Sequence, residues 1–104
     1  MGDFKSSLEY LTSAMKIEES IYPEKKYPYL AETYGNIGNT YTIMGDFKSS
    51  LEYQMAALKI QESIYPEKNH LSLAELYNNI GILYRDMLIS LMLISLLHTE
   101  IWVI

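Results

Sequence analysis

The sequence predicts an all-α protein: a solenoid of antiparallel helix pairs, with about one full repeat flanked by two partial ones. The segment Met1–Tyr10 returns letter for letter as Met44–Tyr53, and ESIYPEK at 19–25 returns at 62–68. Aligning residues 1–43 with 44–86 gives 28 identities. A period of this length marks units that stack because none can bury its apolar face alone. Apolar residues recur at helical spacing, and no alternating β-branched run of useful length is present. Gly, Asp and Pro punctuate the chain so that connections are two to eight residues long, short enough for antiparallel neighbours.

The first helix is expected over about 3–21. Asp3 follows Gly2 and can cap it, and Pro23 stops it, because the residue before a proline is pushed out of the α region. The second is expected over 29–43, with Pro28 suited to its first turn. The third, over 46–64, copies the first, with Asp46 as cap and Pro66 as stop. The fourth is expected over 72–86. Leu71 replaces the proline there, and Ser72 with Glu75 reads as a capping box.

At about 100° per residue the second helix sorts its side chains cleanly. Leu30, Tyr34, Ile37 and Tyr41 share a core face, while Glu32, Asn36, Asn39 and Ile43 lie opposite. Ala31 and Gly38 fall between, small enough for a neighbour to approach. The fourth helix repeats the pattern with Leu73, Tyr77, Ile80 and Tyr84 expected in the core, and Glu75, Asn79, Ile82 and Asp86 opposite; Ala74 and Gly81 are its small pair. The third helix carries two apolar stripes, Phe47, Leu51 and Leu58 on one side and Tyr53, Ala57, Ile60 and Ile64 on the other, so it is expected to pack on both sides. Met44 and Met55 read as gap-fillers.

Residues 87–104 depart from this. They hold 13 apolar side chains in 18 and one charge, Glu100. Leu88 and Ile89 stand where Gly45 and Asp46 end one helix and cap the next, and neither can do so. The fourth helix is therefore expected to run on to about Leu97, with apolar groups on all sides and an exposed patch that deletion of 88–104 would remove. The uninterrupted apolar run is about 11 residues, short of the roughly 20 a membrane span needs. Weak interfacial contact or self-association fits this tail better than a span.

Composition excludes several functions. The net charge is −5, from 8 basic and 13 acidic residues, and the longest basic run is Lys25-Lys26, which argues against nucleic acid. No cysteine is present, so there is neither a disulfide framework nor a thiolate metal site. His70 and His98 have no partner at metal-ligand spacing. Asp3, Lys5 and Glu9 interrupt any signal-peptide core, and a cytoplasmic protein is expected. No catalytic triad, phosphate loop or HExxH occurs, so neither an enzyme nor a cofactor is expected. Gly35 and Gly38 fit helix packing.

The string Tyr34, Ile37-Gly38, Tyr41, Gly45-Asp46-Phe47, Ser50 and Ala57-Leu58 resembles the tetratricopeptide repeat. A partial copy precedes it at Gly2-Asp3-Phe4, Ser7 and Ala14-Met15, and another follows at Tyr77, Ile80-Gly81 and Tyr84. The 43-residue spacing and the run Asn78-Asn79-Ile80 to Tyr84 look like the longer repeat of kinesin light chains. Serine at 7 and 50 replaces the family's alanine; its hydroxyl can bond back to the preceding turn. The resemblance divides residues 1–87 into a partial repeat at 1–28, a full one at 29–71 and a partial one at 72–87, before the non-repeat tail at 88–104. It implies a non-catalytic module that binds a peptide or partner protein in a concave groove lined by the second and fourth helices. Glu32, Asn36, Asn39, Glu75, Asn78 and Asn79 would face it, because Asn can both donate to and accept from an extended peptide backbone. The rival expectation is a structural fragment of a longer array that self-associates through apolar ends and has no ligand groove. Such an end lacks a polar cap, so the isolated chain is expected to be marginal or associating.

Overall fold

A computed structural model describes residues 3–103, and the side chains of residues 3–98. The expected turn-ending role of Gly2 and the side chains of 99–104 lie outside the described residues. The described chain is four helices: α1 Phe4–Ile21, α2 Pro28–Met44, α3 Phe47–Ile64 and α4 Leu71–Val103. Each packs on its neighbours in sequence, and α4 also touches α2.

The helix ends follow from particular side chains. Asp3 and Asp46 each accept from the backbone N–H three residues on, at 3.1 Å, and each also takes the hydroxyl of that serine, Ser6 or Ser49. These bonds to the charged form hold both carboxyls below their ordinary pKa. α2 starts on Pro28 and ends in a Schellman turn: Gly45 N–H donates to Thr42 O and Asp46 N–H to Tyr41 O, with Gly45 at φ +84°. Only glycine adopts that φ without strain. In both connectors a lysine, Lys25 or Lys68, also takes positive φ, and each reaches back to a glutamate of the preceding helix, Glu19 at 3.8 Å and Glu62 at 3.6 Å.

The capping box expected at Ser72 and Glu75 does not form. α4 begins one residue earlier, and His70 caps it. Its Nδ1 accepts from Ser72 N–H at 3.1 Å, and its carbonyl accepts from Leu73 and Ala74 N–H. The ring is held by stacking on Tyr65, with centroids 3.9 Å apart, where the first connector stacks Tyr27 on Tyr22 at 3.8 Å.

Leu30, Ala31, Tyr34, Ala57, Ile60 and Leu76 form the centre of the core, and Ile37 is buried beside them. The Tyr34 hydroxyl donates to Glu19, and burial together with that bond pushes its pKa well up, so it remains a donor. α3 packs on both sides, as its two stripes require. Its polar residues Ser50, Gln54 and Gln61 are also buried. Ser50 does not bond back along its helix; its hydroxyl pairs with that of Thr42 across the α2–α3 contact.

The tyrosines of α4 correct one expectation. Tyr77 and Tyr84 are 44% and 53% exposed, while Leu73, Leu76 and Leu83 are buried. The face that α2 turns toward α3 has no following helix on α4, so only the side that meets α3 and α2 is covered. The methionines correct another. Met44 and Met55 fill no gap: both are exposed, on the outer sides of α2 and α3.

α4 passes Met87 without a turn and continues to Val103, beyond the expected end near Leu97. Leu88, Ile89, Leu91, Met92, Leu93, Ile94, Leu96 and Leu97 are all exposed. Leu71–His98 is long and apolar enough to cross a membrane by length and composition, with a mean hydropathy of 1.8 in its most apolar stretch. Arg85 and Asp86 sit inside that segment, so a span would have to hold them at one surface.

Candidate functional site

The polar faces of α2 and α4 meet across a cleft of about 520 Å³. Helical periodicity puts Glu32, Asn36 and Asn39 on one wall and Glu75 and Asn79 on the other, all five in the lining. Tyr29 and Ser72 also line it, as does Gln61 of α3, which is only 5% exposed. Asn36 is exposed and Asn79 half-buried, on the same side of the array. Asn78 is exposed but is not part of the lining. One residue along a helix is a turn of about 100°, which aims Asn78 toward the side where a following helix would lie.

Asn39 is partly committed: its Oδ1 accepts from Gln54 Nε2 at 2.7 Å, which leaves its amide N–H groups for the cleft. Gln54 Nε2 also reaches Gly35 O at 3.3 Å, so α3 braces the wall of α2 from behind. Asn36 has no such brace and can turn both amide ends outward. Glu32 and Glu75 form no ion pair among the described residues and give the cleft a negative rim. The arrangement offers amide donors and acceptors between two carboxylates. That suits an extended backbone carrying a cationic side chain.

Sequence reasoning missed Gln54 and Gln61, because a glutamine within a helix reads as a solvated residue. The differences between copies were the available signal. In the first copy Thr33 donates to Glu18 at 2.7 Å. The corresponding pair is Leu76 and Gln61, with no hydroxyl to offer. A carboxylate there would be buried unpaired, and the neutral amide is less costly. Even so, Gln61 Oε1 is buried with no hydrogen-bond partner among the described residues. Gln61→Glu should therefore destabilise the chain by about 1–3 kcal/mol, and Leu76→Thr, costly alone because Leu76 is buried in the core, should cost less when combined with it, while Gln61→Leu should be nearly neutral. Urea unfolding of the single variants and of the Gln61→Glu, Leu76→Thr double checks this; costs that simply add in the double would contradict it.

A model of the tetratricopeptide repeat family matches residues 1–63 and, in a second register, residues 29–87. No curated protein and no solved structure matches the chain significantly.

Proposed function

The chain belongs to the tetratricopeptide repeat family, and on that premise we propose that it is a non-catalytic binding module whose α2–α4 cleft takes an extended peptide or a segment of a partner protein. The observation that carries this reading is the convergence of Glu32, Asn36, Asn39, Glu75 and Asn79 on one cleft from two helices. Asn78 is turned off this face; its equivalent Gly35 lines the cleft, so Asn78 would join a groove only where a further unit follows. The negative rim favours a Lys- or Arg-containing segment, in keeping with the chain's net charge of −5. The reading takes the repeats as the long, kinesin-light-chain-like type because of the 43-residue period, and the protein as cytoplasmic. It also takes residues 88–97 as resting against an interface instead of crossing a membrane, since Arg85-Asp86 and His98 bracket the apolar run closely.

Selection of displayed random peptides against the full chain tests it. The enriched peptides should carry basic residues, and Asn36→Ala with Asn79→Ala should weaken them by about tenfold or more, the equivalent of about 1.4 kcal/mol. Selected peptides that bind the double variant as well as the original chain would contradict the cleft reading.

A further inference from the structure

Both ends of the described array expose a face that is covered elsewhere in the same chain. On α4, Tyr77, Ile80, Gly81 and Tyr84 occupy the positions of Tyr34, Ile37, Gly38 and Tyr41 on α2, the face that α3 covers. On α1, Tyr10 and Ile17 occupy the positions of Tyr53 and Ile60, which do the covering. Tyr10 is 80% and Ile17 60% exposed, whereas Ile60 is buried. Each exposed face therefore has the residues of one half of a contact whose geometry the α2–α3 pair displays: Tyr41 stacked on Tyr53 at 5.8 Å, and Gly38 against Gln54.

We propose that α4 of one copy receives α1 of a second copy as α2 receives α3, giving a head-to-tail assembly of this chain. One observation calls for a close helix neighbour, and a second favours a copy of this chain as that neighbour. Gly81 sits in a helix interior, where glycine is less favourable than alanine, yet nothing lies within 4 Å of where its Cβ would be. Gly38 is in the same register, and there a Cβ would meet Gln54 Cγ at 3.0 Å. A close helix neighbour accounts for Gly81 in the same way. One substituted pair also matches across the proposed contact, while the bonded Thr42 and Ser50 become Arg85 and Ser7. The hydrogen-bonded pair Gln54 and Asn39 becomes Leu11 and Ile82, so a polar pair is replaced by an apolar pair and no buried amide is left alone. The contact joins different surfaces, so each added copy presents the same open faces and further copies can add. Each addition would place a new α2 beside α4. The assembly rests on the end faces and stands or falls independently of what the cleft binds.

The chain has no cysteine, so single-cysteine variants Tyr10→Cys and Tyr84→Cys report the contact directly. Mixed and treated with a short bis-maleimide, the full-length variants should give a 10–84 cross-linked dimer well in excess of 84–84 or 10–10 products. The wild-type weight-average mass should rise with concentration beyond a dimer in sedimentation. Gly81→Gln, placed in the Tyr84→Cys chain, should lower the 10–84 yield about tenfold, or about 1.4 kcal/mol, with helicity by circular dichroism unchanged. Predominant 84–84 cross-linking would show symmetric pairing through α4 and overturn the proposal. A constant monomer mass, or monomers that bind phosphatidylcholine vesicles in place of one another, would overturn it as well.

Discussion

Leu83→Ala should release α4 from the rest of the chain, at a cost of about 2–5 kcal/mol. Leu83 is 1% exposed and is the last fully buried residue of α4 among those described; every residue from Leu88 to Leu97 is exposed or only partly covered. Its loss leaves Leu73 and Leu76 to hold a helix that projects far beyond its neighbours. A domain of this size has about 5–15 kcal/mol in total, so the variant should populate a state with α1–α3 folded and α4 detached. Amide exchange should show protection lost along residues 73–86 before α2 and α3 open. Tyr84→Ala, one residue away and half exposed, is the control and should cost under about 1 kcal/mol. Equal effects of the two would mean that α4 is turned the other way.

The second large effect is a difference of sign between two glycines in matching places. At Gly38 an added Cβ would stand 2.9 Å from Gln54 Nε2 and 3.0 Å from its Cγ and Cδ. Gln54 cannot swing aside cheaply, because it is buried and its amide holds Asn39 Oδ1 and Gly35 O. Gly38→Ala should therefore destabilise by about 1–3 kcal/mol, after overcoming the better helix propensity of alanine. At Gly81 the space is open, so Gly81→Ala should stabilise the monomer by up to about 1 kcal/mol. Denaturant midpoints at low protein concentration read both. Gln54→Ala should remove most of the penalty at Gly38, a coupling that a double-mutant cycle measures. Destabilisation of similar size at both glycines in a monomer would contradict the packing described for α4.

The four helices, the caps at Asp3 and Asp46, the proline start of α2 and the run of α4 past Met87 are all legible in the sequence. They follow from local chemistry, and local chemistry is written residue by residue. The polar wall Glu32, Asn36 and Asn39 is legible for the same reason, as a face set by helical period. What stays hidden depends on which neighbours exist. Tyr77 and Tyr84 copy Tyr34 and Tyr41, yet they are exposed, because burial belongs to the contact and α4 runs on past Met87 where the helix that would make it should begin. The cap at His70 is hidden because a stacked imidazole Nδ1 replaces the expected serine oxygen. Asn78 and Asn79 are adjacent letters with different fates, since Asn79 lines the cleft and Asn78 turns toward the open side.

The most direct test of the binding cleft is the side-chain amide spectrum of the full chain during titration with a selected basic peptide. The amide resonances of Asn36, Asn39 and Asn79 should shift together and saturate at one stoichiometry, while that of Asn78 stays in place. Shifts confined to Asn78 or to residues 88–97, with Asn36 and Asn79 unmoved, would contradict the account.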